Sequence, residues 1–336
     1  MNEYLNPPNL DPKIIILNLN PCIDIEYSVP SFKQGGHNRV DIKNENVAGK
    51  GINVAVLFRH LKRDPLLIGF NFTGSGSVLT QYLDEKQVRH DLIDVPGRLR
   101  TNIKLYEQRS KQMTELNQKG SPVTEVHLKA LENKLAQYNQ KDTMLVINGS
   151  LPEGMPPQFI AKIHKNWKGD TVLDLTGDAL KLAIKEKAAT FIKPNLFELE
   201  STFNVNANNR VFTAIEAMRL CMRYKVRYTV VTLGADGALI ATNQGAVHIE
   251  APKVNIKSLQ GAGDALLIGL IEGYWVGGYT QEMLQLGMSV AAAKIECEST
   301  ELPSMQDIFT FMQNCPEAKP LTDDVLSSAL DKLGYK

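Results

Sequence analysis

Six short runs of almost uninterrupted apolar residues constrain this chain more than anything else in it. They lie at positions 14–19, 66–70, 143–147, 171–175, 190–192 and 228–232. A strand with one face in water alternates apolar and polar residues. A strand apolar throughout must be buried on both faces, as in a parallel sheet covered by helices. Stretches with helical spacing separate the runs: 124–138 behind a Thr124 N-cap, 156–166 opening on prolines that a first turn tolerates, and 212–224. Strand and helix in alternation predict a doubly wound α/β fold with a mostly parallel sheet. Each run ends in polar or small residues: Asn20-Pro21, Asn148-Gly149-Ser150, Asp174, Pro194-Asn195, Leu233-Gly234. Ligands of open parallel sheets bind at those carboxyl ends.

Two segments break the rhythm. Residues 25–47 hold strand pieces around Tyr27, Val29, Val40, Ile42 and Val47, and 101–117 read as strand, charged turn and strand. Together they predict a small sheet standing off the main body as a lid, a device that excludes water when it closes. Residues 1–13 read as an extension, 14–336 as a single domain, and 321–333 as a closing amphipathic helix.

Composition excludes several function classes. Hydrophobic residues make up 43% of 336, enough for a large core, and the formal net charge is zero, which argues against nucleic-acid or membrane partners. No apolar run approaches the ~18 residues of a spanning helix. The start of the chain lacks the basic-then-apolar order of a signal peptide, so the cytoplasm is the expected location. Cys22, Cys221, Cys297 and Cys315 are scattered without CxxC and read as core thiols. The histidines show no HExxH spacing.

Three constellations can carry chemistry. Gly261-Ala262-Gly263-Asp264 opens an apolar helix. Small residues there let backbone N–H groups approach an anion, and Asp264 stands where it can take a proton from an attacking hydroxyl; an ordinary N-cap is the alternative. Asn195-Leu196-Phe197-Glu198 sets an amide and a carboxylate on one face at a helix start, fit either to hold Mg²⁺ through waters or to cap the helix. Gly49-Lys50-Gly51 opens a third helix and suits a phosphate. It is not a P-loop, because Asn44 stands where the first glycine should and Gly51 replaces Ser/Thr. The Gly261 segment lacks the third small residue of a nicotinamide fingerprint. Arg39 and Arg100 are candidate bidentate phosphate ligands, with a solvated surface charge as the alternative for each.

In order along the chain stand Asn20-Pro21-Cys22-Ile23-Asp24, Asn38-Arg39-Val40, Ala48-Gly49-Lys50-Gly51-Ile52-Asn53-Val54-Ala55, Arg100-Thr101-Asn102-Ile103-Lys104, Gly149-Ser150-Leu151-Pro152, Lys193-Pro194-Asn195-Leu196-Phe197-Glu198, Thr232-Leu233-Gly234-Ala235-Asp236-Gly237 and Gly261-Ala262-Gly263-Asp264. This succession resembles the PfkB, or ribokinase-like, carbohydrate kinases over residues 14–312. It is most similar to the branch of 1-phosphofructokinases and tagatose-6-phosphate kinases.

The resemblance implies a ribokinase-like fold with a small β-sheet lid that doubles as a homodimer contact. It also implies ATP and Mg²⁺ as cofactors and a sugar phosphate as substrate. Asp264 becomes the base, with Gly261, Ala262 and Gly263 as the anion hole. Asn195 and Glu198 become the Mg²⁺ motif. Asp24, Arg39, Gly49, Lys50, Asn53, Arg100 and Asn102 become the sugar-phosphate site, and Lys193, Asn195, Thr232, Gly234 and Gly237 the nucleotide site.

The implied reaction converts fructose 1-phosphate to the 1,6-bisphosphate. Tagatose 6-phosphate is the rival substrate, and a non-catalytic sugar-phosphate or nucleotide-binding protein the rival of another class. Four places depart from the family pattern: Ala48 before Gly49, Ser258-Leu259-Gln260 ahead of the anion hole, Ile268 on the following helix, and Phe72-Thr73 in place of a Gly-Gly pair.

Overall fold

The computed structural model describes residues 13–321 apart from Asn208 and Ser299. The expected N-terminal extension and closing helix therefore lie outside the described residues, except at their borders. The chain runs β1 (Lys13–Asn18), β2 (Cys22–Val29), β3 (Asp41–Ala48), α1 (Lys50–His60), β4 (Leu66–Phe72), α2 (Val78–Glu85), β5 (Arg89–Val95), β6 (Arg100–Glu107), β7 (Gln112–Asn117), α3 (Glu125–Tyr138) and β8 (Thr143–Asn148). It continues through α4 (Pro157–Asn166), β9 (Asp170–Asp174), α5 (Gly177–Glu186), β10 (Phe191–Ile192), α6 (Leu196–Phe203), α7 (Arg210–Tyr224), β11 (Tyr228–Thr232), β12 (Ala238–Ala241), β13 (Ala246–Ile249), α8 (Ala262–Trp275), α9 (Thr280–Ile295), α10 (Met305–Asn314) and β14 (Lys319–Pro320).

All six apolar runs are strands of one large sheet, ordered β14-β13-β12-β11-β10-β9-β8-β1-β4-β5. Every pairing from β11 to β5 is parallel, and those from β11 to β14 are antiparallel. Residues 14–18 of β1 and all of β8 are buried because helices cover the sheet. Strand order reverses between β1 and β8, since β4 and β5 extend the sheet on one side of β1 and β8 to β14 on the other. That reversal opens a crevice at the carboxyl ends. Asn18 and Asn148 lie there, and the amide nitrogens of both, with the carboxamide oxygen of Asn148, are buried without a hydrogen-bond partner among the described residues. Buried polar atoms are normally paired, so such unmet polarity is expected beside a hydrated or ligand-filled pocket.

The expected small sheet is present, ordered β3-β2-β6-β7, with β2 and β6 parallel. Its residues sort by the period of two. Register places Cys22 beside Arg100, Asp24 beside Asn102 and Glu26 beside Lys104 on one polar face. Ile25, Ile103 and Leu116 lie across from one another on the other face, as do Ile42, Tyr27 and Leu105.

Helix α1 packs on β1, β4 and β8 and against α8, which packs in turn on α9. Just past the end of α1, Arg63 makes a two-pronged ion pair with Glu272 of α8: Nε donates to Oε1 at 2.9 Å and Nη2 to Oε2 at 2.6 Å. Its guanidinium lies 5.7 Å from the Trp275 ring centre. Both partners are buried, so the pair ties the far ends of two helices whose N-termini meet at the crevice. Glu272→Ala removes the carboxylate that pairs with Arg63 and should lower unfolding free energy in urea by about 3–5 kcal/mol. A loss below about 1 kcal/mol, the scale of a surface pair, would show that the clamp contributes little.

Candidate active site

Gly49 stands before α1 with φ 143, and a Cβ there would come 2.9 Å from Oδ1 of Asn18. Only glycine lets the first turn of α1 close over the end of β1. Lys50 thereby reaches over the strand ends, and Asn53 one turn later donates through Nδ2 to Oδ2 of Asp264 at 3.0 Å. Helix α8 starts after Gly261, which is left-handed at φ 76, and carries Asp264 in its first turn at 6% exposure.

Beneath these two helix starts lies a cluster of four charges. Asp174, at the end of β9, accepts from Lys50 Nζ at 3.2 Å through one oxygen and faces Lys193 Nζ at 3.3 Å through the other. Lys193 Nζ lies 3.4 Å from where a Cβ on Gly263 would stand, so its charge sits at the N-terminus of α8. Asp174 and Lys193 are buried, whereas the Lys50 side chain is 40% exposed and open to a ligand.

Burial, then the neighbouring Asp174 carboxylate, pushes Asp264 up to about 6, against the pull of Lys50, Asn53 and Lys193. Burial would also raise Asp174, but Lys193 and Lys50 outweigh it and hold that carboxyl below its ordinary range. Burial would lower Lys50, yet Asp174, Asp264 and Glu198 keep it above its ordinary range. The result is one firmly ionised carboxylate and one poised near neutrality, the division of labour that acid–base chemistry requires.

Asn195 and Glu198 form a reciprocal capping box on α6: Glu198 N donates to Asn195 Oδ1, and Asn195 N to Glu198 Oε2, both at 2.8 Å. The capping reading of the sequence is thus realised, and it leaves one carboxylate oxygen of Glu198 outside the box. No group of three or more His, Cys, Asp or Glu side chains is poised for a metal among the described residues. That donor set fits Mg²⁺, which keeps several waters and binds through one or two carboxylates and substrate phosphates. Thr232 bridges to Asn195, and Gly234 and Gly237 shape the turn after β11, so four of the five expected nucleotide residues adjoin. The fifth, Lys193, two residues before Asn195, also joins the charge cluster.

On the polar face of the small sheet, Asp24 accepts from Lys104 Nζ at 2.7 Å and Asn102 Nδ2 at 3.0 Å, and Arg100 donates to Asn102 Oδ1 at 3.1 Å. Burial would raise Asp24, but Lys104 dominates and holds it low. Gln260 Nε2 comes within 3.5 Å of Asp24 Oδ2, so the segment preceding Gly261 touches the small sheet. Arg39 is not brought in: it is exposed on the connection between β2 and β3, and no hydrogen bond ties it to a described residue of the cluster. Of the departures, Ala48 and Ile268 are core residues, while Leu259 is 67% exposed.

Residues 16–307 match the family described as pfkB family carbohydrate kinase. The chain belongs to that family. This pfkB carbohydrate kinase is 28% identical to a 1-phosphofructokinase of Vibrio cholerae over 90% of its own length and 95% of the relative's. It is 26% identical to a tagatose-6-phosphate kinase of Staphylococcus epidermidis over 77% and 84%. Its fold matches the crystal structure of phosphofructokinase-2 from Escherichia coli with a TM-score of 0.83 at 23% identity, covering 90% of this chain and 98% of that one.

The sequence reading of this pfkB kinase did not assign Asp174 or Lys104 to the site. Asp174 was read only as the polar end of an apolar run, and Lys104 could have been found on the same period-two face as Asn102. The electrostatics are directly testable by following the Asp264 carboxyl carbon by NMR. It should titrate near pH 6. In Asp174→Asn, which removes a neighbouring negative charge, the midpoint should move to lower pH. An unmoved midpoint would break the coupling.

Proposed function

We propose that this chain transfers the γ-phosphoryl group of ATP to a hydroxyl of a phosphorylated ketohexose, with fructose 1-phosphate as the first candidate acceptor. The observation that carries the reading is the Asn53–Asp264 contact, which joins the starts of α1 and α8 at the sheet's reversal point within the Lys50–Asp174–Lys193 cluster. The names of the relatives support the substrate class, and tagatose 6-phosphate, from the second of them, is the alternative acceptor.

Asp24, Asn102 and Arg100 on the small sheet, with Lys50, Gly49 and Asn53 on α1, hold the sugar phosphate. Asp264 accepts the proton of the attacking hydroxyl as its oxygen bonds to phosphorus. The bond from that phosphorus to the β-phosphate oxygen breaks, ADP leaves, and the bisphosphate remains. Backbone N–H groups of Gly261, Ala262 and Gly263 stabilise the charge on the transferring group, as donors at a helix N-terminus do. Asn195 and Glu198 would hold Mg²⁺, which when bound neutralises phosphate charge. Thr232, Gly234 and Gly237 shape the nucleotide end. The small sheet acts as a lid, and its apolar face suits a second copy of the chain: Ile42 and Leu116 there are 64% and 58% exposed. Lids of this kind exclude water on closing.

The deciding assay is ADP release from ATP·Mg²⁺ against fructose 1-phosphate, tagatose 6-phosphate, fructose 6-phosphate and fructose. One sugar phosphate should turn over, and Asp264→Asn should lower kcat by at least about 10²-fold with ATP still bound. Because Asp264 must be ionised to act, kcat/KM should fall as pH drops below about 6. Normal turnover by the Asn variant, or no acid limb above pH ~5, would remove the base assignment.

Arg100→Ala should raise KM for the sugar phosphate and leave KM for ATP nearly unchanged. Equal changes in both would take Arg100 out of the phosphate site.

A further inference from the structure

One buried cation at this site has no role in the scheme above. Lys294 lies in the last turn of α9 and is 6% exposed. Its Cε stands 3.5 Å from where a Cβ on Gly261 would be, so the side chain runs behind the turn that opens α8. With Asn53, Gln260, Gly261 and Asp264 it lines one narrow cavity, closed on the far side by Tyr82 and Leu302.

A lysine in the last turn of a helix is favourable at the surface, where its charge meets the helix dipole and water together. That alone does not account for Lys294. Taking an ammonium out of water is unfavourable by several kcal/mol unless nearby groups compensate. Here burial does push the ammonium below its ordinary range, opposed by Cys297, Glu301 and Asp264. Glu301 and Cys297 follow α9 directly, while Asp264 belongs to the reaction centre. Its Cε lies beside Gly261, whose lack of a side chain lets the lysine stem approach the turn. A Cβ at position 261 would meet the Lys294 Cε in ordinary van der Waals contact.

We propose that Lys294 is a positioning residue for phosphoryl transfer: its stem packs behind Gly261 and its ammonium adds positive potential to the anion hole. Lys193 supplies charge to the same helix start near Gly263, and Lys294 supplies it near Gly261, so the turn is flanked by two buried cations. Charge that develops on a transferring phosphoryl group meets this field at low dielectric, where a fixed cation counts for more than it does in water. Neither ammonium has to touch the substrate for the effect to operate. The inference rests on the reading of Gly261–Asp264 as anion hole and base.

The test uses Lys294→Met, which keeps the length and the apolar stem and removes the charge, with Lys294→Ala beside it. For each, kcat, KM for ATP, the melting temperature and inhibition by ADP with aluminium fluoride in the presence of fructose 1-phosphate are measured. In the Met variant kcat should fall about 10²-fold, the low end of what an anion-hole group is worth. Affinity for the aluminium fluoride complex should fall in parallel, while KM for ATP and the melting temperature stay near those of the parent. In the Ala variant, added methylammonium should restore part of kcat.

A Met variant with parental kcat and aluminium fluoride affinity overturns the proposal. So does loss of ADP binding and melting temperature together, without methylammonium rescue of the Ala variant, because Lys294 would then only hold the fold. Asp264→Asn is run alongside. If it turns over normally, the reading of the whole turn fails, and that result is distinct from a silent Lys294 variant beside an inactive Asp264 variant.

Discussion

Asp174 is the residue on which the rest of the site depends. It is buried at the end of β9 and held ionised by Lys50 on one side and Lys193 on the other. Without it, the Lys50 and Lys193 ammoniums would be left with Asp264, and Lys50 with Glu198 as well, to answer them. With it, two carboxylates balance two ammoniums, and the balance is uneven in a useful way. Asp174 takes the close ion pairs, and Asp264 is left with burial and a like-charged neighbour, which together move it toward neutrality. A carboxyl that titrates near 6 is basic enough to accept a proton and acidic enough to release it afterwards.

This arrangement is built from backbone before side chains enter. The reversal of strand order between β1 and β8 opens the crevice, and the glycines at 49 and 261 let two helices begin over it. The Arg63–Glu272 pair holds α1 against α8 at the opposite ends of those helices, so their N-termini keep the spacing that the Asn53–Asp264 hydrogen bond records. The small sheet adds a polar face carrying Asp24, Arg100, Asn102 and Lys104. It touches the main body through Gln260, the residue immediately ahead of the anion turn. Gln260 is one of the positions where this chain departs from the family pattern, so the departure falls at the seam between the small sheet and the start of α8.

Much of the fold was legible in the sequence. The six apolar runs became six strands, because a strand buried on both faces has no polar residues to confuse its reading. β5 escaped notice since it is an edge strand, and the charged residues of Arg89–Val95 break the apolar run. β12 and β13, of four residues each, were not read as strands. The two segments expected as a lid paired as expected, and their alternation decided which face carries the polar group. Among the site residues, Gly49, Lys50, Asn53, Gly261 and Asp264 were readable as small or charged residues at helix starts. Arg39 was read from its motif, and the structure leaves it exposed on the connection between β2 and β3.

The sequence by itself determined which residues can form strands, which helices begin with groups able to meet an anion, and to which family the order of motifs points. These are local properties, set by spacing and by the backbone freedom of glycine. It could not assign partners, because a carboxylate at the end of one strand says nothing about which ammonium it will face more than a hundred residues away. Lys50 and Asp174 are separated by 124 positions and Asn53 and Asp264 by 211. Only the tertiary structure decided those pairs, and with them which carboxylate is ionised and which is poised. Proton affinity depends on burial and on charges a few ångströms away, and those distances exist only once the strands have taken their order in the sheet.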